Sequence, residues 1–157
     1  MFRIREAIKD DLDAILSLIK ELAQYENMSD QVNFTKDMFY ESLFIKKYAN
    51  ALVCEADNNI VGYAIYFYSF STFLGKGGIY LEDLYVKKEL RNRGIGKEFL
   101  KFLAKKCIDN SLGRLEWECL DWNEPSLAFY KKLGAKTLDE WISLRVDGDA
   151  LKNLAKL

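Results

Sequence analysis

The alternation of apolar and polar positions predicts a chain that switches between strands and helices. The first residues, FRIREA at 2–7, alternate with a period of two, which is typical of a strand with one buried face. Apolar residues then recur at helical spacing from Leu12 to Ala23, after Asp10 or Asp11, either of which can cap the helix. A second long helical pattern covers 95–107 and keeps its apolar residues on one face.

The remaining segments complete the order β-α-α-β-β-β-α-β-α-β-β, which indicates an α/β (α+β) sheet with helices on its faces. Thr35 opens the second helix, and Pro125 fits the first turn of a short helix that stops at Gly134. The later predicted strands are 50–56, 60–69, 79–86, 114–120 and one or two within 137–146, with a glycine-rich connection at 71–78. Because no linker or repeat interrupts these elements, we expect a single domain over 1–157.

One predicted strand, YLEDLYV at 80–86, carries two adjacent carboxylates in an otherwise apolar run. Burying an unpaired carboxylate costs several kcal/mol, so Glu82 and Asp83 require an edge position, a cationic partner or a reaction that uses them. Successive side chains of a strand point to opposite faces, so these two acids reach one ligand only if the strand is bulged.

The amino-acid composition excludes several kinds of catalytic chemistry. The 157 residues include no histidine, which excludes Ser-His-Asp and Cys-His nucleophiles and His-ligated metals. Cys54, Cys107 and Cys119 form no CxxC, so we expect a reducing cytoplasm with neither a disulfide framework nor a zinc site. The net charge of −1 disfavours nucleic-acid binding, and no apolar run approaches the roughly 18 residues of a membrane-spanning helix.

A glycine-containing loop, RNRGIGKEF at 91–99, lies between a predicted strand and the second long helix. Gly94 and Gly96 let the backbone approach a ligand, and the free N–H groups at a helix start favour phosphate. Arg91 and Arg93 can also contact phosphate from this loop. The loop is neither a Walker A motif nor the dinucleotide fingerprint, and two glycines at a helix start are also explained by a tight turn alone.

Four sequence blocks carry a resemblance to a known family: KELAQYE, YLEDLYV, LYVKKELRNRGIG and WNEPSLAFYKKLGA. The third block resembles the (Q/R)-x-x-G-x-(G/A) acetyl-CoA loop of the Gcn5-related N-acetyltransferase (GNAT) superfamily. The fourth resembles that family's next motif, an Asn loop followed by a helix that ends in Tyr. The whole chain looks closest to the diamine (spermidine/spermine) N-acetyltransferase branch, which includes thialysine N-acetyltransferases. Asn92 departs from the pattern, because those relatives often have glycine there, but its backbone N–H is retained.

The resemblance implies a GNAT-like fold, in which a mixed, mostly antiparallel central sheet is splayed at the cofactor site and has helices on both faces. It implies acetyl-CoA as the cofactor, with the pantetheine arm paired to the central strand and the pyrophosphate held by loop N–H groups. The implied cofactor-binding residues are Leu84, Tyr85, Val86, Arg91, Asn92, Arg93, Gly94, Ile95, Gly96, Lys97, Asn123, Ser126 and Tyr130.

By the same resemblance, Tyr130 protonates the departing thiolate and Glu82 takes the proton of the attacking ammonium, directly or through water. A phenol with an ordinary pKa of about 10 is still protonated at neutral pH and suits the first role. Without the resemblance, Phe129 and Tyr130 would be interpreted as core aromatics. The backbone of Leu84 is expected to polarise the thioester carbonyl. Direct attack is favoured over an acyl intermediate on Cys119, since no histidine is present to activate the thiol.

The acceptor implied by the resemblance is a small cationic amine, held by carboxylates along an apolar channel. The expected binding residues are Tyr25, Glu26, Glu82, Asp83, Glu116, Trp117 and Glu118. The family has a bulge in its central strand, so we expect one near 82–84. Glu116 and Glu118 are equally explained as a solvated strand face, and the aromatic stretch 66–76 either walls the channel or belongs partly to the core. Trp141 matches a tryptophan near the substrate end of the family's site, across a length difference.

Two alternatives to this function remain open. A GNAT enzyme of this type can use another acceptor, such as an amino acid, an aminoglycoside or a protein amine. A CoA-binding module without catalysis would carry the same loop, although the intact Tyr130 and Glu82 count against it. The resemblance also implies a homodimer, and we expect no nucleic-acid or membrane partner.

Overall fold

The computed structural model describes all 157 residues, which divide into two compact units, Met1–Glu118 and Cys119–Leu157. The first unit contains one sheet whose strands lie side by side in chain order: β1 (Phe2–Glu6), β2 (Asn50–Ala56), β3 (Asn59–Ser71), β4 (Lys76–Val86) and β5 (Leu115–Trp117). Neighbouring strands are antiparallel from β1 to β4, and β4 pairs with β5 in parallel. The expectation of a single domain over 1–157 stays a prediction.

The helices of the first unit begin and end close to the positions that the sequence predicts. They are α1 (Leu12–Tyr25), α2 (Lys36–Tyr40), which a π-helical turn continues over Glu41–Ile45, and α3 (Ile95–Asp109). Short 3₁₀ turns lie at Lys9–Asp11, Ser29–Gln31 and Lys88–Leu90. The Thr35 hydroxyl caps α2, because it accepts a hydrogen bond from the Met38 N–H at 3.2 Å. None of the chain's helices combines the length and the apolar character needed to cross a membrane.

Helices α1 and α3 pack on opposite faces of the sheet. On one face, Ile15 of α1 and Tyr63 of β3 belong to the same buried apolar cluster. On the other, the Phe99 ring of α3 lies over Gly62, where a Cβ atom would come within 3.3 Å of that ring and 2.9 Å of the Tyr85 carbonyl. The mixed, mostly antiparallel sheet with helices on both faces confirms the predicted fold class.

Strands β4 and β5 separate near the middle of β4. Their pairing joins Ile79–Leu81 of β4 to Leu115–Trp117 of β5 and then stops. β4 continues through 82–86 with β3 as its strand neighbour. One side of β4 is therefore left without a strand in this stretch, as the predicted splaying of the sheet requires.

The β3–β4 hairpin is longer than the sequence predicts. β3 extends to Ser71 and β4 begins at Lys76, so the turn covers only 72–75. The predicted connection at 71–78 was wrong in extent because Gly77 and Gly78 are paired with β3. A Cβ atom on Gly78 would lie 2.8 Å from the Ser69 hydroxyl, so this glycine allows a close approach of strands rather than a loop.

The aromatic stretch 66–76 is mostly strand, and its side chains divide between the two faces. Tyr66 is 1% exposed, donates its hydroxyl to Glu6 at 3.3 Å and lies under the Lys106 ammonium of α3. Phe67 points to the α1 face and stacks on Tyr80, with ring centroids 5.0 Å apart. Part of this stretch therefore belongs to the core on the α3 face, and Tyr66 does not line a channel on the α1 face.

The second unit contains α4 (Glu124–Lys132) and α5 (Gly148–Leu154). The strands predicted within 137–146 are wrong, since the segment has no regular structure beyond a turn in which the Trp141 N–H bonds to the Leu138 carbonyl. Its alternating apolar residues favour a strand, but a strand also needs a hydrogen-bonded neighbour, and no strand pairs with this segment. Trp141 and Leu144 are 73% and 92% exposed.

Candidate active site

A β-bulge interrupts β4 at the two adjacent acids. Asp83 lies opposite Ile65 of β3, and Leu81 lies opposite the next residue, Tyr66, so Glu82 has no partner across the ladder. The bulge predicted near 82–84 is therefore confirmed. Such a bulge re-aims the side chains beside it, and here Glu82 is exposed while Asp83 is half-buried on the α1 face.

Asp83 is a half-buried carboxylate without a cationic partner. Its Oδ2 accepts a hydrogen bond from the Tyr63 hydroxyl at 3.3 Å, and no ion pair supplements that bond. Burial, together with the charges of Glu82 and Glu26, raises the pKa of Asp83 to about 6. Burial and the Asp83 carboxylate likewise hold the pKa of the Tyr63 hydroxyl well above its ordinary value. A cation placed beside Asp83 would favour its ionised form, so this corner of the sheet is suited to a positively charged ligand.

Further acids surround the bulge on the α1 face. Burial raises the pKa of Glu26, which directly follows α1. Burial also raises the pKa of Tyr80 to about 12, with contributions from Glu118, to which its hydroxyl donates a hydrogen bond, and from Glu82 and Glu116. The structure thus brings together the acids predicted for the acceptor site: Glu26, Glu82, Asp83, Glu116 and Glu118.

Strand β5 divides its predicted site residues between the two faces of the sheet. Glu116 lies opposite Tyr80 in the parallel ladder and forms an ion pair with Arg114, with Oε2 and Nε 2.9 Å apart. Trp117 lies opposite Leu81 and therefore on the other face, so the structure does not bring it to the carboxylates.

After the bulge, β4 presents the stretch expected to bind the pantetheine arm. Leu84, Tyr85 and Val86 pair with β3 on one side, and β5 has ended before it reaches them on the other. The Tyr85 side chain is buried and its hydroxyl donates to Glu21 Oε2 at 3.1 Å, which fixes the strand against α1. The stretch is therefore held firmly where the sheet is open.

The loop before α3 supplies backbone N–H groups at the start of a long helix. Asn92 and Gly94 have φ angles of 62° and 83°, and α3 begins at Ile95. Asparagine tolerates this left-handed conformation better than most residues, which explains how it replaces glycine at position 92. A Cβ atom at Gly96 would meet no atom within 4 Å, so protein packing does not require this glycine. The open space at the helix start fits a phosphate group that approaches the backbone.

The three cations predicted for this loop differ in their surroundings. Arg93 and Lys97 are exposed and form no ion pair, so both can reach an anionic ligand. Arg91 is half-buried, because its Nε donates to the Val86 carbonyl at 3.1 Å and its guanidinium lies 4.7 Å from the centroid of the Tyr25 ring. The structure therefore separates Arg91 from the two exposed cations.

In the second unit, Asn123 and Ser126 form the cap of α4. The buried Asn123 side-chain oxygen accepts a hydrogen bond from the Ser126 N–H at 3.4 Å. Tyr130 follows one turn after Ser126, half-buried, with its ring centroid 5.4 Å from that of Phe129. The cap gives Asn123 a structural role that sequence reasoning missed, and it leaves Ser126 and Tyr130 on the same side of α4.

Sequence reasoning also missed two tyrosines beside the acids, Tyr63 and Tyr80. Both occupy strand positions that look like ordinary core aromatics, so no local signal separates them from the chain's other tyrosines. The strand register separates them from the other tyrosines, because Tyr63 lies on the same face as Asp83 and Tyr80 lies opposite Glu116.

Known proteins that are similar to this chain include acetyltransferases. Residues 14–135 match the acetyltransferase (GNAT) family. The chain belongs to this family. The thialysine N-epsilon-acetyltransferase of Bos taurus is 39% identical over 97% of this chain and 96% of its own length. The spermidine/spermine N(1)-acetyltransferase-like protein 1 of Homo sapiens is 32% identical over 98% of this chain, in a match that covers 24% of its own length.

A solved structure also resembles this acetyltransferase over nearly its whole length. It is an integron cassette protein from the mobile metagenome of V. cholerae, which is 26% identical with a TM-score of 0.83 and covers 99% of this chain and 98% of its own. The GNAT family and fold expected from the four sequence blocks are thus confirmed. The protein is an N-acetyltransferase of a family that generally uses acetyl-CoA.

Proposed function

We propose that this acetyltransferase acetylates a primary amine of a small cationic acceptor, such as a diamine, a polyamine or a lysine-like molecule, by direct attack in a ternary complex. One observation carries the proposal: the bulge brings Glu82 and Asp83 close to three further carboxylates, Glu26, Glu116 and Glu118. Glu116 is paired with Arg114, whereas Asp83 accepts a hydrogen bond from a neutral hydroxyl and forms no ion pair. An acceptor with one or more ammonium groups supplies the missing positive charge. The similarity to thialysine N-epsilon-acetyltransferases supports a lysine-like acceptor.

We assign Asp83 and Glu26 to binding of the ammonium group, with Tyr25 beside them at the end of α1. Because the pKa of Asp83 is raised to about 6, most of this carboxylate is ionised at pH 7 and gains from a cation nearby. Glu116 and Glu118 would contact a second cationic group of a longer acceptor. In this proposal Asp83 discriminates for charge, and Glu116 and Glu118 discriminate for length.

Glu82 is the proposed base. An alkylamine is an ammonium ion at neutral pH and must lose a proton before it can attack a carbonyl carbon. The exposed Glu82 carboxylate can take that proton directly or through water, because the bulge turns it out of the ladder. Asp83, on the same bulge, would hold the ammonium close to this base.

Acetyl-CoA would supply the activated acetyl thioester. The residues proposed to bind it are the backbone N–H groups of 92–97 for the pyrophosphate and the backbone of 84–86 for the pantetheine arm. Arg93 and Lys97 would add charge at the phosphates, and the Leu84 backbone would polarise the thioester carbonyl. The open space above Gly96 and the missing strand beside β4 support both assignments.

Tyr130 is proposed to protonate the thiolate that leaves, with Asn123 and Ser126 contacting the cofactor from the same helix start. Tyr130→Phe removes the acidic proton and is expected to lower kcat by a factor of about 100 or more, with the Kd of CoA changed much less. A mutant that keeps full activity between pH 6 and 9 would remove Tyr130 from this role.

Two further features belong to the proposal. The resemblance to the diamine acetyltransferases supports a homodimer. The three free thiols support a cytoplasmic site of action. The molar mass in solution, by light scattering at several concentrations, tests the dimer. A monomer at every concentration would remove it.

The function is tested by the release of CoA thiol from acetyl-CoA in the presence of a panel of amines. The panel contains putrescine, spermidine, spermine, thialysine, lysine, an aminoglycoside and a peptide with a free amine. Turnover is expected with a diamine, a polyamine or a lysine-like molecule. Turnover with only the aminoglycoside or the peptide would replace the acceptor class, and tight CoA binding without any turnover would favour a non-catalytic module.

A further inference from the structure

The Arg91 side chain is held between two aromatic rings rather than extended toward solvent. Its guanidinium carbon lies 4.7 Å from the Tyr25 ring centroid and 5.3 Å from the Tyr85 ring centroid. Its Nε donates to the Val86 carbonyl at 3.1 Å. The cation is thus fixed at three points, on α1, on β4 and on the backbone at the end of β4.

These contacts join parts of the molecule that have different proposed roles. Arg91 belongs to the loop that leads into α3, where the pyrophosphate is proposed to bind. Tyr25 ends α1 and precedes Glu26, whose charge acts on Asp83 at the bulge. A second link ties the same helix to β4, because the Tyr85 hydroxyl donates to Glu21.

We propose that Arg91 is a positioning residue that fixes the amine-binding end of α1 to the cofactor loop, and that it sets affinity for the acceptor without binding the pyrophosphate. This inference rests on the proposed function. Tyr25 is 40% exposed, and the Arg91 guanidinium lies over its ring, 4.7 Å from the centroid. The stacked guanidinium therefore fixes the place of Tyr25 and, through the chain, that of Glu26.

Arginine suits this position for a physical reason. Its planar guanidinium can stack on an aromatic ring and donate a hydrogen bond within its own plane at the same time. A lysine ammonium keeps the charge but has no plane to stack. In this position the Arg91 Nε–H is bonded to the Val86 carbonyl and the guanidinium lies beside two rings, whereas Arg93 of the same loop is exposed.

The test compares Arg91→Met and Arg91→Lys with Arg93→Met, a matched change at the exposed arginine of the same loop. Arg91→Met is expected to raise the Kd of the best acceptor about tenfold and to change the Kd of CoA less than about threefold, both measured by calorimetry. Arg91→Lys is expected to recover less than half of the loss. Arg93→Met is expected to show the opposite pattern, with weaker CoA binding and unchanged acceptor binding.

A double-mutant cycle separates positioning from a general structural defect. Tyr25→Leu is expected to weaken acceptor binding, and the Arg91→Met/Tyr25→Leu double mutant is expected to be no weaker than the worse single mutant. Thermal unfolding checks that each variant is folded. Strictly additive losses would overturn the inference, as would a CoA Kd raised tenfold by Arg91→Met with acceptor binding unchanged.

The proposed function and the inference about Arg91 can fail independently of each other. Wild-type protein without turnover on any amine overturns the proposed function. The Arg91 contact is judged separately by NMR of its Nε–H group, whose resonance is expected to carry a ring-current shift that Tyr25→Leu reduces. An Nε–H shift that is unchanged in Tyr25→Leu overturns the inference even in an active enzyme.

Discussion

Two aspartates of the first unit occupy opposite electrostatic environments. Asp11, before α1, accepts hydrogen bonds from Arg5 at 2.6 and 2.8 Å and from the Ile8 N–H at 2.8 Å. The bonds from Arg5 hold the pKa of Asp11 below its ordinary value in spite of burial. Asp83, at the bulge, accepts one bond from a neutral hydroxyl, and burial with its neighbouring acids raises its pKa to about 6.

The difference in electrostatic environment indicates different roles: Asp11 stabilises the fold, and Asp83 is suited to binding a cationic ligand. Asp11 ties β1 to the start of α1, and the protein itself supplies the cation that its charge requires. Asp83 is left among like charges, an arrangement that lowers stability unless a cation binds. Charges that the fold leaves uncompensated are therefore a better indication of the site than charge alone.

The largest expected effect comes from breaking the Asp11 pair. Arg5→Met leaves Asp11 buried without its cation and is expected to lower the free energy of unfolding by about 3 kcal/mol. Urea denaturation at pH 7 measures the change. Asp83→Asn is the matched control, because it removes a carboxylate that has no cation, and it is expected to lose no stability. Equal losses in the two variants would show that the contrast is wrong.

Removing the other acid of the bulge is expected to act on turnover rather than on stability. Glu82→Gln abolishes the proposed base and is expected to lower kcat by a factor of about 100, with a residual rate that rises with pH as free amine becomes available. Steady-state rates between pH 6 and 10 measure this. Glu41→Gln, at an exposed glutamate paired with Lys46, is the control and is expected to leave the profile unchanged. A Glu82→Gln profile identical to that of wild type would rule out the role.

The smallest effect is a pH dependence of stability with opposite signs for the two aspartates. Asp83 binds its proton more tightly in the folded chain than in the unfolded chain. The stability that this proton contributes is therefore full below pH 4 and is lost as the pH rises through 6. The contribution of Asp11 is full above pH 4 and is lost as the pH falls through its lowered pKa. The free energy of unfolding of Asp83→Asn, relative to that of wild type, is thus expected to rise by on the order of 2 kcal/mol from pH 4 to pH 8.

Urea denaturation at those two pH values measures the gain. Asp11→Asn is the matched variant: its loss of stability relative to wild type is expected to stay constant between pH 4 and pH 8 and to shrink as the pH falls below 4. If both variants shift in the same direction, the environments of the two aspartates are not opposite.

Local patterns in the sequence predicted the elements whose stability is itself local. The apolar periodicity gives α1 and α3 closely, since a helix satisfies its own backbone hydrogen bonds. The strands within 137–146 were wrong because a strand depends on a neighbour that no local pattern reveals. The length of the β3–β4 hairpin was missed for a related reason: Gly77 and Gly78, typical of loops, are required by close packing within the sheet.

The candidate site shows the same division. The two adjacent acids and the resemblance were enough to predict the bulge, since a regular strand cannot turn both to one face. The position of Arg91 was not predictable, because its ring partners Tyr25 and Tyr85 lie far from it along the chain or on another element. The local motif predicts a cofactor loop, but it does not tell which of its cations turns inward.

The pairing around the bulge has an evolutionary consequence. Residues on either side of Glu82 pair with β3 as though it were absent, because Leu81 and Asp83 lie opposite consecutive residues, Tyr66 and Ile65. If Glu82 were deleted from β4, the ladder would be unbroken and every other side chain would keep its face. A single-codon insertion into an ordinary hairpin is thus sufficient, in geometric terms, to add an outward-facing acid without repacking the core.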